Sequence, residues 1–127
     1  MNRLKKKLAD IKKDNKKALV AYLVAGDPDI ESTIQLMELF VKSGVDILEI
    51  GVPFTDPIAE GPIIQKAHDR ALKKQTSLKL IFEMVRRFRN QDNDTPIVLM
   101  GYLNTFISHK KLIEKNEDNV IDSVLIV

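Results

Sequence analysis

Four short apolar runs punctuate the chain: "ALVAYLVAG" from residue 18, "VDILEIGV" from residue 45, "TPIVLMGY" from residue 95 and "IDSVLIV" from residue 121. Between them the apolar spacing changes to threes and fours, the repeat of an amphipathic helix. Each intervening stretch is long enough to carry the chain back for parallel pairing, and such crossovers are right-handed. Strands alternating with helices define an α/β fold with a parallel sheet.

The helical segments carry their own boundary signals. Ile34, Met37, Phe40 and Val41 form one stripe, with Pro28 and Ser32 near its start and Gly44 as the left-handed exit residue, so a helix is predicted over 30–43. Pro62 sits where a first turn tolerates a missing N–H, opening a helix over 62–74. Ser77 caps the next, whose stripe is Leu80, Ile81, Met84, Val85 and Phe88 and which ends at "NQDND". A weaker helix is predicted over 105–115. The amino-terminal "MNRLKKKLADIKKDNKK" places Leu4, Leu8 and Ile11 at helical spacing with lysines outward.

Charge is uneven. Residues 1–17 hold eight of the 20 Lys and Arg but two of the 18 Asp and Glu, so the formal net charge of +2 hides a basic first helix. No aromatic or arginine cluster accompanies those lysines, and the helix reads as a solvated cap on one end of the domain rather than a nucleic-acid surface. The absence of cysteine excludes a disulfide framework or a thiolate metal site. No run approaches the roughly 20 apolar residues of a membrane helix, and no secretory segment opens the chain, so no membrane partner and a cytoplasmic location are expected.

Two architectures fit: an open doubly wound sheet, or the N-terminal half of a (β/α)8 TIM barrel, since a whole barrel takes roughly 250 residues. The first strand-to-helix turn, "AGDPDIES", lacks the glycine pattern of a dinucleotide site, which weighs against a nucleotide-binding open sheet. Residues 1–127 read as a single partial domain without a linker.

Chemistry concentrates in the second strand. Side chains alternate, so Leu48, Ile50 and Val52 form a uniformly apolar face for helices to cover, and Glu49 turns to the other face, the barrel interior. It lies near the carboxyl end of its strand, where barrels and open sheets assemble their sites. A partly desolvated carboxylate there is a candidate acid/base, set against a structural glutamate paired with a cation or backbone donors. The loop "PFTDPIAEGP" adds Asp56, whose place before proline suits a turn, and Glu60, which alternatively favours the positive end of the following helix. His68 and His109 have no partners at metal-ligand spacing and read as surface or structural; no metal is expected.

The blocks "AGDPD", "GVDILEIGVPFTDPIAEGPIIQKAHDRAL", "PIVLMGYLN" and "DSVLIV", in this order and spacing, resemble the tryptophan synthase alpha chain family, a family of (β/α)8 barrels. The resemblance implies retro-aldol cleavage of indole-3-glycerol phosphate to indole and glyceraldehyde 3-phosphate, with no cofactor in the alpha chain. Indole would pass to a beta chain carrying pyridoxal phosphate, the implied partner in an alpha2beta2 assembly. Glu49 matches the family's catalytic glutamate. Glu60 stands where the family's "ADGP" has a catalytic aspartate, one methylene shorter. Tyr22, usually phenylalanine in the family, and Met100, Tyr102 and Leu125 match substrate-pocket positions. Asp56, Pro57 and Asn104 match the beta-chain interface.

Other features depart from the family. "NEDNVIDSVL" replaces a family glycine before the fourth strand, with Val120 at about that place. The chain is expected to represent only strands one to four, an apparently truncated half that is inactive alone. The alternatives are a non-catalytic half-barrel that self-associates or docks on the beta chain, and an unrelated barrel aldolase. The last would need a Schiff-base lysine at a strand end, and none of the four strands contains lysine.

Overall fold

The computed structural model describes residues 2–127. Along the chain lie α1 (Arg3–Lys13), β1 (Val20–Val24), α2 (Ile30–Lys42), β2 (Ile47–Gly51), α3 (Pro62–Lys73) and α4 (Leu78–Arg89). Then follow β3 (Ile97–Gly101), two short helices α5 (Leu103–Ser108) and α6 (Lys110–Lys115), a 3-10 turn (Glu117–Asn119) and β4 (Ser123–Ile126). All neighbouring strands are parallel, in the order β1-β2-β3-β4. Sequential order in a parallel sheet is what a barrel requires, whereas a doubly wound sheet reverses at a switch point.

The helix-facing side of the sheet forms the core. Leu48, Ile50 and Val52 of β2 and its exit, with Ile97 and Leu99 of β3, are buried against Ile34 and Met37 of α2 and the apolar stripe of α4. That stripe is Leu78, Ile81, Phe82, Met84, Val85 and Phe88. It differs from the predicted one at its start: Leu80 is exposed, and Leu78 and Phe82, one turn apart, are inside. Ser77 caps α4 as expected, its Oγ accepting the Leu80 N–H at 3.2 Å. At α2 the cap is Asp29, which accepts the Ser32 N–H at 2.7 Å. Gly44 leaves the helix with φ 102°.

The weak helix over 105–115 is two helices broken at His109, with α5 beginning at Leu103. The stretch before β4 needs no glycine at 120. Its positive φ values fall at Asn116, Asp118 and Asn119, two of them the residue type that tolerates this region best. Val120 has φ −77° and is buried in the core.

The amino ends of the strands are closed by a polar network. Asp122, with a fully buried side chain, pairs with Arg89 at 3.2 Å and Arg3 at 3.3 Å and accepts the Ile97 N–H at 2.9 Å. Arg89 also donates to the carbonyls of Val120, Asp92 and Thr95. Burial and the neighbouring Arg3 lower its pKa to about 10, still far above neutrality. Helix α1 rests on this network: none of its residues is fully buried, Leu8 is exposed, and Arg3 and Asn2 supply its long-range bonds. Among the described residues no helix is long and apolar enough to cross a membrane.

Candidate functional site at the carboxyl ends of the strands

The register of the sheet sets out the inner face in two rows. Tyr22, Glu49, Val98 and Ser123 are laterally aligned, and one step toward the carboxyl ends so are Val24, Gly51, Met100 and Leu125. Glu49 therefore lies on the face opposite Leu48 and Ile50, as the alternation predicts. It is half-buried, and among the described residues its carboxylate has no ion pair or hydrogen bond. The structural alternative, a glutamate neutralised by a cation, is not what this strand contains.

Tyr22 is next to Glu49 on β1 and reaches across β2. A Cβ placed on Gly51 would lie 2.2 Å from Tyr22 Oη, so the phenol occupies the space that the glycine leaves open. That hydroxyl is buried without a partner. Burial, reinforced by the negative charges of Glu60 and Glu49, pushes its pKa well up, and it stays a protonated phenol. Tyr22 and Ile64 pack around Val24, Ala67 and Ala71, seating α3 over the end of β1. Arg70 of α3 adds a two-pronged bond to Asp27, at 2.7 and 2.9 Å.

The β2–α3 loop folds back so that the Glu60 side chain is only 7% exposed. Tyr102 Oη donates a hydrogen bond to Glu60 Oε2 and accepts the Ala59 N–H at 2.9 Å. Gln65 Nε2 donates to the Glu60 carbonyl at 2.8 Å. The Tyr102 ring stacks on Phe54, with centroids 5.0 Å apart. Burial, with the Glu60 bond second, raises the pKa of Tyr102 and keeps its proton on the phenol.

His68 was not among the sequence candidates. It is fully buried, its Nδ1 accepts the Phe54 N–H at 3.0 Å, and its Nε2 faces Glu60 Oε1 at 3.8 Å. Burial lowers its pKa, against the opposing pull of Glu60, so the ring is neutral at pH 7. A signal existed in the sequence: Ile64, Ala67, His68 and Ala71 share one helical stripe, which puts the imidazole on the buried side of α3. His109, by contrast, is exposed.

Of the remaining candidates, Met100 and Leu125 share the inner face with Tyr22; Met100 is 9% exposed and Leu125 48%. Asp56 on the β2–α3 loop and Asn104 in the first turn of α5 are exposed at this end, while Pro57 is buried and its ring is not a surface feature. Ile58, Ile63, Leu103 and Ile107, on the same segments, are exposed by at least half. Among the described residues no three His, Asp or Glu side chains gather as a metal set. A surface cavity of about 410 Å³, lined by Val41, Phe88 and Thr95 among others, lies at the opposite end of the sheet.

Four sequential parallel strands with helices on one face define the first half of a (β/α)8 barrel, with Glu49 and Glu60 toward the carboxyl ends of its strands. The sequence profile of the tryptophan synthase alpha chain family matches residues 8–127, and the chain belongs to that family. It is 56% identical over 104 residues to the tryptophan synthase alpha chain of Alkalilimnicola ehrlichii, covering 82% of this chain and 38% of that one. To the alpha chain of Marinobacter nauticus it is 46% identical, over 100% of this chain and 48% of the relative. The crystal structure of the alpha subunit from Legionella pneumophila str. Paris superposes with a TM-score of 0.95 at 44% identity, covering 100% of this chain and 49% of that one. An a2b2 complex from Pyrococcus furiosus superposes at 0.77 with 38% identity, covering 86% and 44% respectively. The chain thus spans half or less of the length of these relatives.

Proposed function

We propose that residues 1–127 form one partial-barrel unit carrying the acid–base half of a site that cleaves indole-3-glycerol phosphate to indole and glyceraldehyde 3-phosphate. The observation that carries this reading is Glu49: a carboxylate on the inner face near the end of β2, without a neutralising partner and beside the orphan hydroxyl of Tyr22. Cleavage needs a proton delivered to indole C3 and a proton taken from the adjacent side-chain hydroxyl. The C–C bond then breaks, its electron pair returning to the ring and the hydroxyl carbon leaving as an aldehyde. Glu49 serves these proton movements. Glu60 accepts the hydrogen bond of the indole N–H and steadies the positive charge that develops there. Tyr22, Met100, Tyr102 and Leu125 supply the walls of the pocket.

No cofactor is assigned to this chain. A beta chain bearing pyridoxal phosphate is its proposed partner, in the cytoplasm, and the exposed Asp56 and Asn104 with the apolar side chains around them are the proposed docking face; Pro57 contributes by stiffening the loop from within. The test is to combine the chain with a separately expressed C-terminal half of the Legionella pneumophila alpha chain and assay indole release from indole-3-glycerol phosphate. Release that Glu49→Gln abolishes is the expected result. Absence of release from a correctly assembled pair would sink the reading.

A second reading is favoured by the exposed inner face, where Val20 is 47% and Leu125 48% exposed. In it the chain is a non-catalytic half-barrel that self-associates or binds the beta chain. Sedimentation of the chain alone and with a beta chain decides it: a monomer that binds no beta chain removes this alternative.

A further inference from the structure

Phe54, His68, Glu60 and Tyr102 cluster where the β2–α3 loop returns over the sheet. The Phe54 N–H is donated to His68 Nδ1, the other ring nitrogen faces Glu60 Oε1, Glu60 Oε2 accepts from Tyr102 Oη, and the Tyr102 ring stacks back on the Phe54 ring. Because Nδ1 is an acceptor here, the neutral imidazole carries its proton on Nε2. That nitrogen lies 3.8 Å from buried Glu60 Oε1, beyond hydrogen-bond distance, and neither atom has a hydrogen-bond partner.

From this geometry we infer that His68 is a positioning residue for Glu60, fixing the carboxylate from the side opposite Tyr102. The inference rests on the reading of Glu60 as a site carboxylate. A glutamate has one more rotatable bond than an aspartate, and an acid swinging through its rotamers would misplace the indole N–H acceptor by an ångström or more, enough to cost on the order of a hundredfold in rate. Tyr102 holds one oxygen, and the fully buried His68 ring beside the other narrows that freedom. The backbone bond from Phe54 in turn prevents the imidazole from flipping to the tautomer that would present a lone pair to the carboxylate. The titratable groups near His68 are Glu60, across the loop, and Asp69 on its own helix.

The variants separate the two halves of the imidazole. His68→Asn retains an oxygen that accepts the Phe54 N–H but has nothing at the Nε2 position; His68→Gln supplies an amide donor toward Glu60 and gives up the Phe54 bond. Nitrogen-15 NMR of the chain itself is expected to show His68 as the Nε2–H tautomer. In Glu60→Gln its titration midpoint is expected to fall, as the stabilising negative charge is lost. An Nδ1–H tautomer, or an unmoved midpoint, overturns the inference whatever the activity. In the indole-release assay, His68→Asn is expected to lower kcat about tenfold with KM little changed, and His68→Gln to recover most of it. Equal loss in both would reduce His68 to a folding residue. Confirmed coupling with no indole release from the wild type would instead defeat the proposed function.

Discussion

The Tyr22 hydroxyl lies where the side chain of any residue other than glycine at position 51 would begin: a Cβ there would be 2.2 Å from Oη and 2.8 Å from Cζ. The phenol and the glycine are therefore one packing unit, shared between β1 and β2. Gly51→Ala forces the ring out of its place, and overpacking of this kind costs about 1–3 kcal/mol. Urea denaturation is the measurement. Tyr22→Phe in the same background is expected to return only part of the loss, since the ring carbons are close as well.

Asp122 is the anionic centre of the network at the amino ends of the strands. Replacing it by alanine leaves Arg89 buried and charged with carbonyl partners alone, and breaking a buried pair from one side costs about 3–5 kcal/mol. Its removal is expected to unfold much of the chain at room temperature. Arg3→Ala, at the more exposed edge, is expected to shift the denaturation midpoint far less.

Val120→Gly tests the segment before β4. The valine is buried with an ordinary negative φ, so the glycine common in the family brings no conformational relief here. Loss of the side chain and added freedom of the unfolded chain together predict about 2–4 kcal/mol of destabilisation. A neutral result in thermal melting would mean that position 120 is not the packing residue described.

His68 gives the stability a pH dependence with a definite sign. Its native pKa lies below the ordinary value of 6.5, so below that pH the unfolded chain takes up a proton that the folded chain refuses. Stability is full above the unfolded pKa and falls as the pH drops from 6.5 toward the native value. Denaturation midpoints measured between pH 7 and 5 should show this slope in the wild type and a shallower one in His68→Asn. Equal slopes would contradict it.

Tyr102→Phe removes the donor to Glu60 and the acceptor of the Ala59 N–H while leaving the Phe54 stack. A stability loss of about 1 kcal/mol is expected, since the Ala59 amide can turn to water. In the complemented assay of the proposed function, with the separate C-terminal half added, the larger effect is expected, about tenfold in kcat, with the proton-linked behaviour of His68 retained.

The alternation of periods made the four strands and most helices legible, because a parallel sheet covered on one face demands runs such as Leu48, Ile50 and Val52. The same alternation assigned Glu49 to the other face. Boundaries depended on weaker local signals: Asp29, not a proline or serine nearby, caps α2, and the break at His109 left no trace in composition. The surroundings of Glu60 were hidden for a different reason. Its partners Tyr102 and His68 are 42 and eight positions away, and only the return of the β2–α3 loop over the sheet brings them together. Pro57 reads as a surface turn residue by type, yet that same return buries it.

The ties between Arg3 and residues 93, 119 and 122 impose an order of events on the nascent polypeptide. The first helix leaves the ribosome early but none of its residues becomes fully buried, and its docking groups are synthesised 90 to 119 residues later. Contacts of such long sequence separation form late because so much chain must be ordered first. The helix that opens the sequence is thus the latch that closes last.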